Sequence, residues 1–168
     1  MTNVVINLCG IKSKGGFTVV NNYISQNNTK NLYVLYDNLE FEQYIENFDS
    51  KYIGIKRIFH PFLNIFLDKE VKEKINKYDY IIHFGNFGFK TNIKSYNLIQ
   101  NILPLVRPFS SIRNFTLNIL YKYAFRISSE IIVQQKHVAG LIPDRYKTKI
   151  IGSIEIRNIK QSNNLGFV

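Results

Sequence analysis

Tryptophan is absent from this 168-residue sequence, and there is a single cysteine, Cys9. A lone thiol excludes an intrachain disulfide and a cysteine-built zinc site. Its place inside an apolar run marks Cys9 as a small buried hydrophobe. Met1-Thr2-Asn3 provides no basic leader, and no apolar run approaches the roughly 20 residues of a membrane span. A cytoplasmic protein is therefore expected. Gly10 and Gly15 have the spacing of a P-loop, but Gly16-Phe17 stands where Lys-Ser/Thr is required, and no Gly-x-Gly-x-x-Gly follows. No helix-turn-helix, ribonucleoprotein or zinc-finger pattern is present, which ranks nucleic acid last among partners. Repeats and low-complexity blocks are also missing.

Acid is the scarcest commodity in the second half. Residues 1–79 carry a net charge of +1, whereas residues 80–168 carry +9 of the chain's total of +10. Between Asp79 and Glu130 there is no carboxylate, but there are Lys90, Lys94, Arg107, Arg113, Lys122 and Arg126. Solubility does not require such asymmetry. It points to an anionic partner: a phosphate, a lipid headgroup or a nucleic acid.

The chain is long enough for one domain with a sizeable core. Short apolar runs bounded by Gly, Asn and Pro read as buried parallel strands. They are expected at Asn3–Gly10, Leu32–Tyr36, Tyr52–Phe59, Tyr80–Phe84, Tyr96–Gln100, Glu130–Gln134 and Thr148–Ile151. Helical patterns fall between them: one from Phe17, one capped by Asp37-Asn38, one over Phe62–Tyr78, one over Ser111–Ile127 and a short one from Gln135 to Ile142. Alternation of strands with helices gives an α/β protein with a doubly wound, Rossmann-like parallel sheet. Residues 3–152 form this domain, and 153–168 form a tail or interdomain linker without a clear pattern.

The helix over Ser111–Ile127 is apolar on two sides. Ile112, Phe115, Ile119, Tyr123 and Ile127 are expected to face the core at a spacing of 3.6. Leu117, Tyr121 and Phe125 make a second stripe. Arg113 and Lys122 flank it, and together with Arg126 they form a candidate membrane or anion surface.

Ligands of open α/β sheets bind beyond the carboxyl ends of the strands. His83, Asn86 and Asn101 fall on such ends, with Asn97 just before the last of them. Gly15 and Gly16 open the first helix, whose N-terminal amides suit an anion. For His83 the competing reading is a core histidine satisfied by backbone. Asn86 and Asn101 can also serve simply as strand-end caps.

Four segments occur in a familiar order. They are the opening strand with Gly15-Gly16, Asp79-Tyr80-Ile81-Ile82-His83-Phe84-Gly85-Asn86, Gln100-Asn101-Ile102-Leu103-Pro104, and Ser128-Ser129-Glu130-Ile131-Ile132-Val133-Gln134. Over residues 3–152 they resemble the N-terminal, acceptor-side domain of bacterial family-4, GT-B type glycosyltransferases of capsule and lipopolysaccharide synthesis. The resemblance implies a retaining transfer of sugar from a nucleotide-sugar to a glycan or lipid-linked acceptor, without a metal or other cofactor. It places Gly15 and Gly16 against the donor diphosphate or acceptor, and makes His83 and Asn86 at the end of the fourth strand and Asn101 after the fifth donor-phosphate or acceptor ligands as well. Asn101 stands where many relatives have His. The second Rossmann domain of that family, with its paired glutamates and diphosphate clamp, has no counterpart here, so the chain alone is expected to be inactive. No catalytic residue is assigned. An alternative from another class is a non-catalytic basic domain on anionic membrane or polyprenyl-phosphate carriers. Either reading allows peripheral contact with the inner face of the cell membrane.

Overall fold

A computed structural model describes residues 2–11, 14–26, 29–37, 52–57, 67–146 and 148–150. In chain order the elements are β1 (Thr2–Asn7), α1 (Lys14–Gln26), β2 (Thr29–Tyr36), β3 (Tyr52–Arg57), α2 (Lys69–Ile75), β4 (Tyr80–His83), β5 (Lys94–Ile99), α3 (Leu103–Val106), α4 (Ile112–Ile127), β6 (Glu130–Val133), α5 (Lys136–Ala139) and β7 (Thr148–Ile150). The helix expected after Asp37-Asn38, the first part of the one expected over Phe62–Tyr78, and the tail lie outside the described residues.

The seven strands form one sheet in the order β3-β2-β1-β4-β5-β6-β7, and every pairing is parallel. This is an α/β, Rossmann-like fold. Parallel sheets are covered on both faces, so their strands read as unbroken apolar runs rather than alternations. Val4, Val5 and Ile6 of β1 are all fully buried, although successive side chains point to opposite faces. On one face Val4, Ile6, Leu32, Val34, Ile82 and Leu98 pack beneath Phe17, Val20 and Tyr23 of α1. On the other, Val5, Tyr33, Leu35 and Ile81 pack against Val71 and Ile75 of α2, while Ile99, Ile131 and Val133 meet Tyr121 and Phe125 of α4.

β1 and β4 are neighbours, yet the chain leaves β1 toward β2 and leaves β4 toward β5. The outgoing connections therefore diverge at the carboxyl ends of these two strands, which defines the crevice where such sheets hold ligands.

α4 corrects the helix pattern. Its buried residues are Asn118, Tyr121, Ala124 and Phe125. The first three residues of the stripe expected in the core face outward instead, with Ile112 88% exposed, Phe115 47% and Ile119 51%, while Tyr123 and Ile127 are half-buried. Polar anchoring decides the rotation. Asn118 Nδ2 donates to the Pro104 carbonyl (2.8 Å) and the Tyr121 hydroxyl donates to the Asn101 carbonyl (2.9 Å). Both bonds need the 118/121/125 side turned inward.

Candidate functional site

Three polar side chains lie in a row just below the carboxyl edge. Asn7 of β1 is in register with His83 of β4, and His83 with Asn97 of β5. All three are fully buried. They share the sheet face carried by Val5 and Ile81 and fill the strip between the α2 and α4 clusters.

Hydrogen bonding fixes the state of the imidazole. The Cys9 amide donates to Asn7 Oδ1 (3.2 Å), so the Asn7 NH2 group faces His83 Nδ1 at 2.9 Å. Nδ1 then accepts, and a neutral ring carries its proton on Nε2. Burial lowers the His83 pKa from 6.5 to about 3, which keeps the ring neutral. Nε2 of His83 and Oδ1 of Asn97 have no partner among the described residues. They are a buried donor on one strand and a buried acceptor at the same register of the next.

The segment after β4 covers this row. Phe89 meets the His83 ring edge-on at 5.0 Å, and Phe87 packs on Tyr121 at 5.6 Å. Gly88 sits between them. A Cβ there would lie 2.9 Å from Cδ2 and 3.1 Å from Nε2 of His83, so only glycine lets the backbone rest on the imidazole. His83 is thus sealed beneath its own loop.

The lip above it is made by two crossing loops. Gly10 has φ +86, and a Cβ on it would meet the Gly85 carbonyl oxygen at 3.4 Å. The backbone of Gly85 presses on the Cys9 carbonyl so closely that a Cβ would overlap the oxygen. Asn86 follows with φ 67, in the left-handed region. Its Oδ1 accepts from the amides of Gln100 (2.6 Å) and Asn101 (3.0 Å), which ties the β4 loop to the end of β5. Asn101 itself is exposed.

Gly15 and Gly16 lie in the first turn of α1, beside the carboxyl end of β1. Gly15 is exposed, and a Cβ on it would meet nothing within 4 Å. Gly16 is buried. Asp37, at the end of β2, accepts the Gly10 amide on both carboxylate oxygens (3.2 and 3.1 Å). An acid that reads as a helix cap in the sequence therefore engages the glycine turn.

Of the five expected binding residues, His83, Asn86 and Asn101 converge at the ends of β4 and β5, and Gly15 and Gly16 stand at the start of α1. Asn101 and Gly15 present surface. Asn86 spends its side-chain oxygen on backbone, and His83 and Gly16 are enclosed. Sequence reasoning missed Asn7, whose only signal is an amide inside the run Val-Val-Ile-Asn-Leu-Cys. Arg113 and Lys122 are exposed on α4. Arg126, at the far end of that helix, is committed elsewhere. Desolvation alone would raise the Tyr146 phenol, but hydrogen bonds and charge from Arg126 and Arg145 pull its pKa below the usual value.

An open cleft of about 430 Å³ exists at the opposite, amino edge of the sheet, where Asn3 and Asn31 begin β1 and β2 beside Glu70 and Lys74. Its mixed charge and position set it apart from the switch point. Among the described residues no cluster of His, Cys, Asp or Glu is suited to a metal ion, and no helix is long and apolar enough to cross a membrane.

The buried imidazole makes a prediction. An unfolded chain protonates His83 near pH 6.5, while the folded chain resists until about pH 3. The unfolded state binds more protons in that window, so stability falls as pH drops through it. From pH 7 to pH 5 the expected loss from this group is about 2 kcal/mol. Urea midpoints at the two pH values measure it, and His83→Gln should flatten the slope.

Comparison of the chain with protein-family models, with curated proteins and with solved structures gives no match.

Proposed function

We propose that this chain is the acceptor-side domain of a retaining, GT-B type glycosyltransferase, which moves a sugar from a nucleotide-sugar to a glycan or lipid-linked acceptor in bacterial surface-polysaccharide synthesis. In this reading the donor site belongs to a second Rossmann domain. The observation that carries this reading is the β1/β4 switch point. There Gly10, Gly85 and left-handed Asn86 bring two loops into backbone contact, and helix α1 follows with Gly15 and Gly16 in its first turn. Order and spacing of the four segments named above supply the resemblance.

The chemistry asks this half to place an acceptor hydroxyl and help hold a departing diphosphate. The Gly15 amide, in the first turn of the 13-residue α1, offers an N–H group at the positive end of the helix for the diphosphate. Asn101 Oδ1 accepts the Leu103 amide (3.1 Å), which leaves its exposed NH2 group to donate to a sugar hydroxyl. His83 and Asn97 act from below, holding the strand ends that shape the acceptor side.

Gly15→Ala tests the anion role. A methyl group there meets no atom within 4 Å among the described residues, and replacing a glycine inside a helix should raise stability by about 0.5–1 kcal/mol. The same methyl group would obstruct a phosphate approaching the amides. Pyrophosphate affinity is expected to fall about tenfold, roughly 1.4 kcal/mol, while the melting temperature rises. Unchanged affinity in the more stable variant would reject Gly15 as part of the site.

A further inference from the structure

We infer that the ridge formed by α3, the turn after it and the outer face of α4 docks on an anionic lipid bilayer. The inference is independent of the glycosyl-transfer reading, since it rests on a surface away from the glycine loops.

Six large apolar side chains are exposed in sequence order along this ridge: Leu103 (55%), Val106 (49%), Phe109 (83%), Ile112 (88%), Phe115 and Ile119. Isolated exposed hydrophobics need no explanation, but a run of six on adjoining elements does. Phe109 and Phe115 stack on each other in the open, centroids 5.9 Å apart, so the tip is an ordered aromatic surface. The ridge is held rigidly. Ser111 caps α4 by accepting the Asn114 amide on its hydroxyl (3.1 Å), and Asn118 is bonded to the Pro104 carbonyl. With Asn118, Tyr121 and Phe125 anchored inward, α4 cannot rotate to bury Ile112 and Ile119 without breaking those contacts.

Charge identifies the occupant. Arg107, Arg113 and Lys122 are exposed around the apolar tip, and no Asp or Glu occurs anywhere from residue 80 to residue 129. Apolar side chains flanked by cations alone match a bilayer surface, where rings and aliphatic chains enter the acyl boundary and basic groups meet anionic headgroups. A protein partner or a second copy would need to offer apolar cover while also neutralising cations. A second copy of this ridge brings only more positive charge. α3 follows the carboxyl end of β5, so the ridge begins at the Asn101 edge of the sheet.

Co-sedimentation of the 168-residue chain tests this. Vesicles of phosphatidylcholine with about a third phosphatidylglycerol should retain the protein in low salt and release it as salt rises, whereas pure phosphatidylcholine should retain little. Phe109→Asp with Ile112→Asp is expected to weaken partitioning at least tenfold, and Arg107→Glu with Arg113→Glu to weaken it comparably and remove its salt dependence. All four positions are exposed, and circular dichroism verifies that each variant is folded. No retention on anionic vesicles overturns the inference, as does retention that neither pair of substitutions changes. A concentration-dependent dimer that Phe109→Asp dissolves, without vesicle binding, overturns it in favour of self-association.

Discussion

Gly85→Ala is expected to destabilise the fold by about 3–5 kcal/mol, a large fraction of the total stability of a domain this size. The added Cβ would overlap the Cys9 carbonyl oxygen and lie 2.8 Å from the carbonyl carbon. Both are backbone atoms at the end of β1, which Leu8 ties to β2 through its amide bond to the Leu35 carbonyl (2.8 Å). The obstacle cannot swing away as a flexible side chain would. Relief requires the β1 and β4 loops to part, and with them the amide bond from Phe84 to the Asn7 carbonyl (2.9 Å). Urea unfolding at neutral pH measures the loss, and a chain that fails to fold agrees with the same account. A variant with the parental midpoint would show that the two loops do not cross as described.

The second large effect belongs to Asn86. Its φ of 67 costs alanine about 1–2 kcal/mol, whereas asparagine visits that region with local hydrogen bonding as compensation. Removing Oδ1 also strips the acceptor from the amides of Gln100 and Asn101. Each lost bond contributes about 0.5–1.5 kcal/mol, so Asn86→Ala should cost about 2–5 kcal/mol in all. Asn86→Gly separates the two causes. Glycine keeps the backbone conformation and loses only the acceptor, so its destabilisation should be about half that of alanine. Equal losses would mean that backbone conformation contributes nothing.

The sequence carries the sheet more clearly than it carries the site, for physical reasons. A strand buried on both faces needs apolar residues at every position, and such runs stand out between glycine, asparagine and proline. Strand ends shift by one to three residues, at the ends of β1 and β4 because Leu8 and Phe84 are as apolar as the strands they follow. Residues 94 and 95 join β5 although they are Lys and Ser, since Lys94 starts the strand in the open and Ser95 gives its hydroxyl to the Ile127 carbonyl (3.1 Å). The inward side of α4 was not legible. Two apolar stripes of similar strength leave the choice to long-range bonds from Asn118 and Tyr121. At the site, His83, Asn86 and Asn101 are visible as polar ends of apolar runs. Their setting is not, because Asn7 reaches His83 across 76 residues of chain and the fit of Gly85 on Cys9 is a matter of backbone approach. Glycine in a sequence announces freedom, but not which backbone or ring it allows near.

The most direct test of the functional account is a backbone-amide NMR titration of the chain, first with pyrophosphate and then with phosphorylated oligosaccharides. Acceptor-side function at the switch point predicts shifts confined to the carboxyl edge, centred on Gly10, Gly15, Gly16, Asn86 and Asn101, with the amino-edge cleft at Asn3, Asn31 and Glu70 silent. Shifts that cluster at that cleft, or no saturable response at the carboxyl edge to either class of ligand, would contradict it.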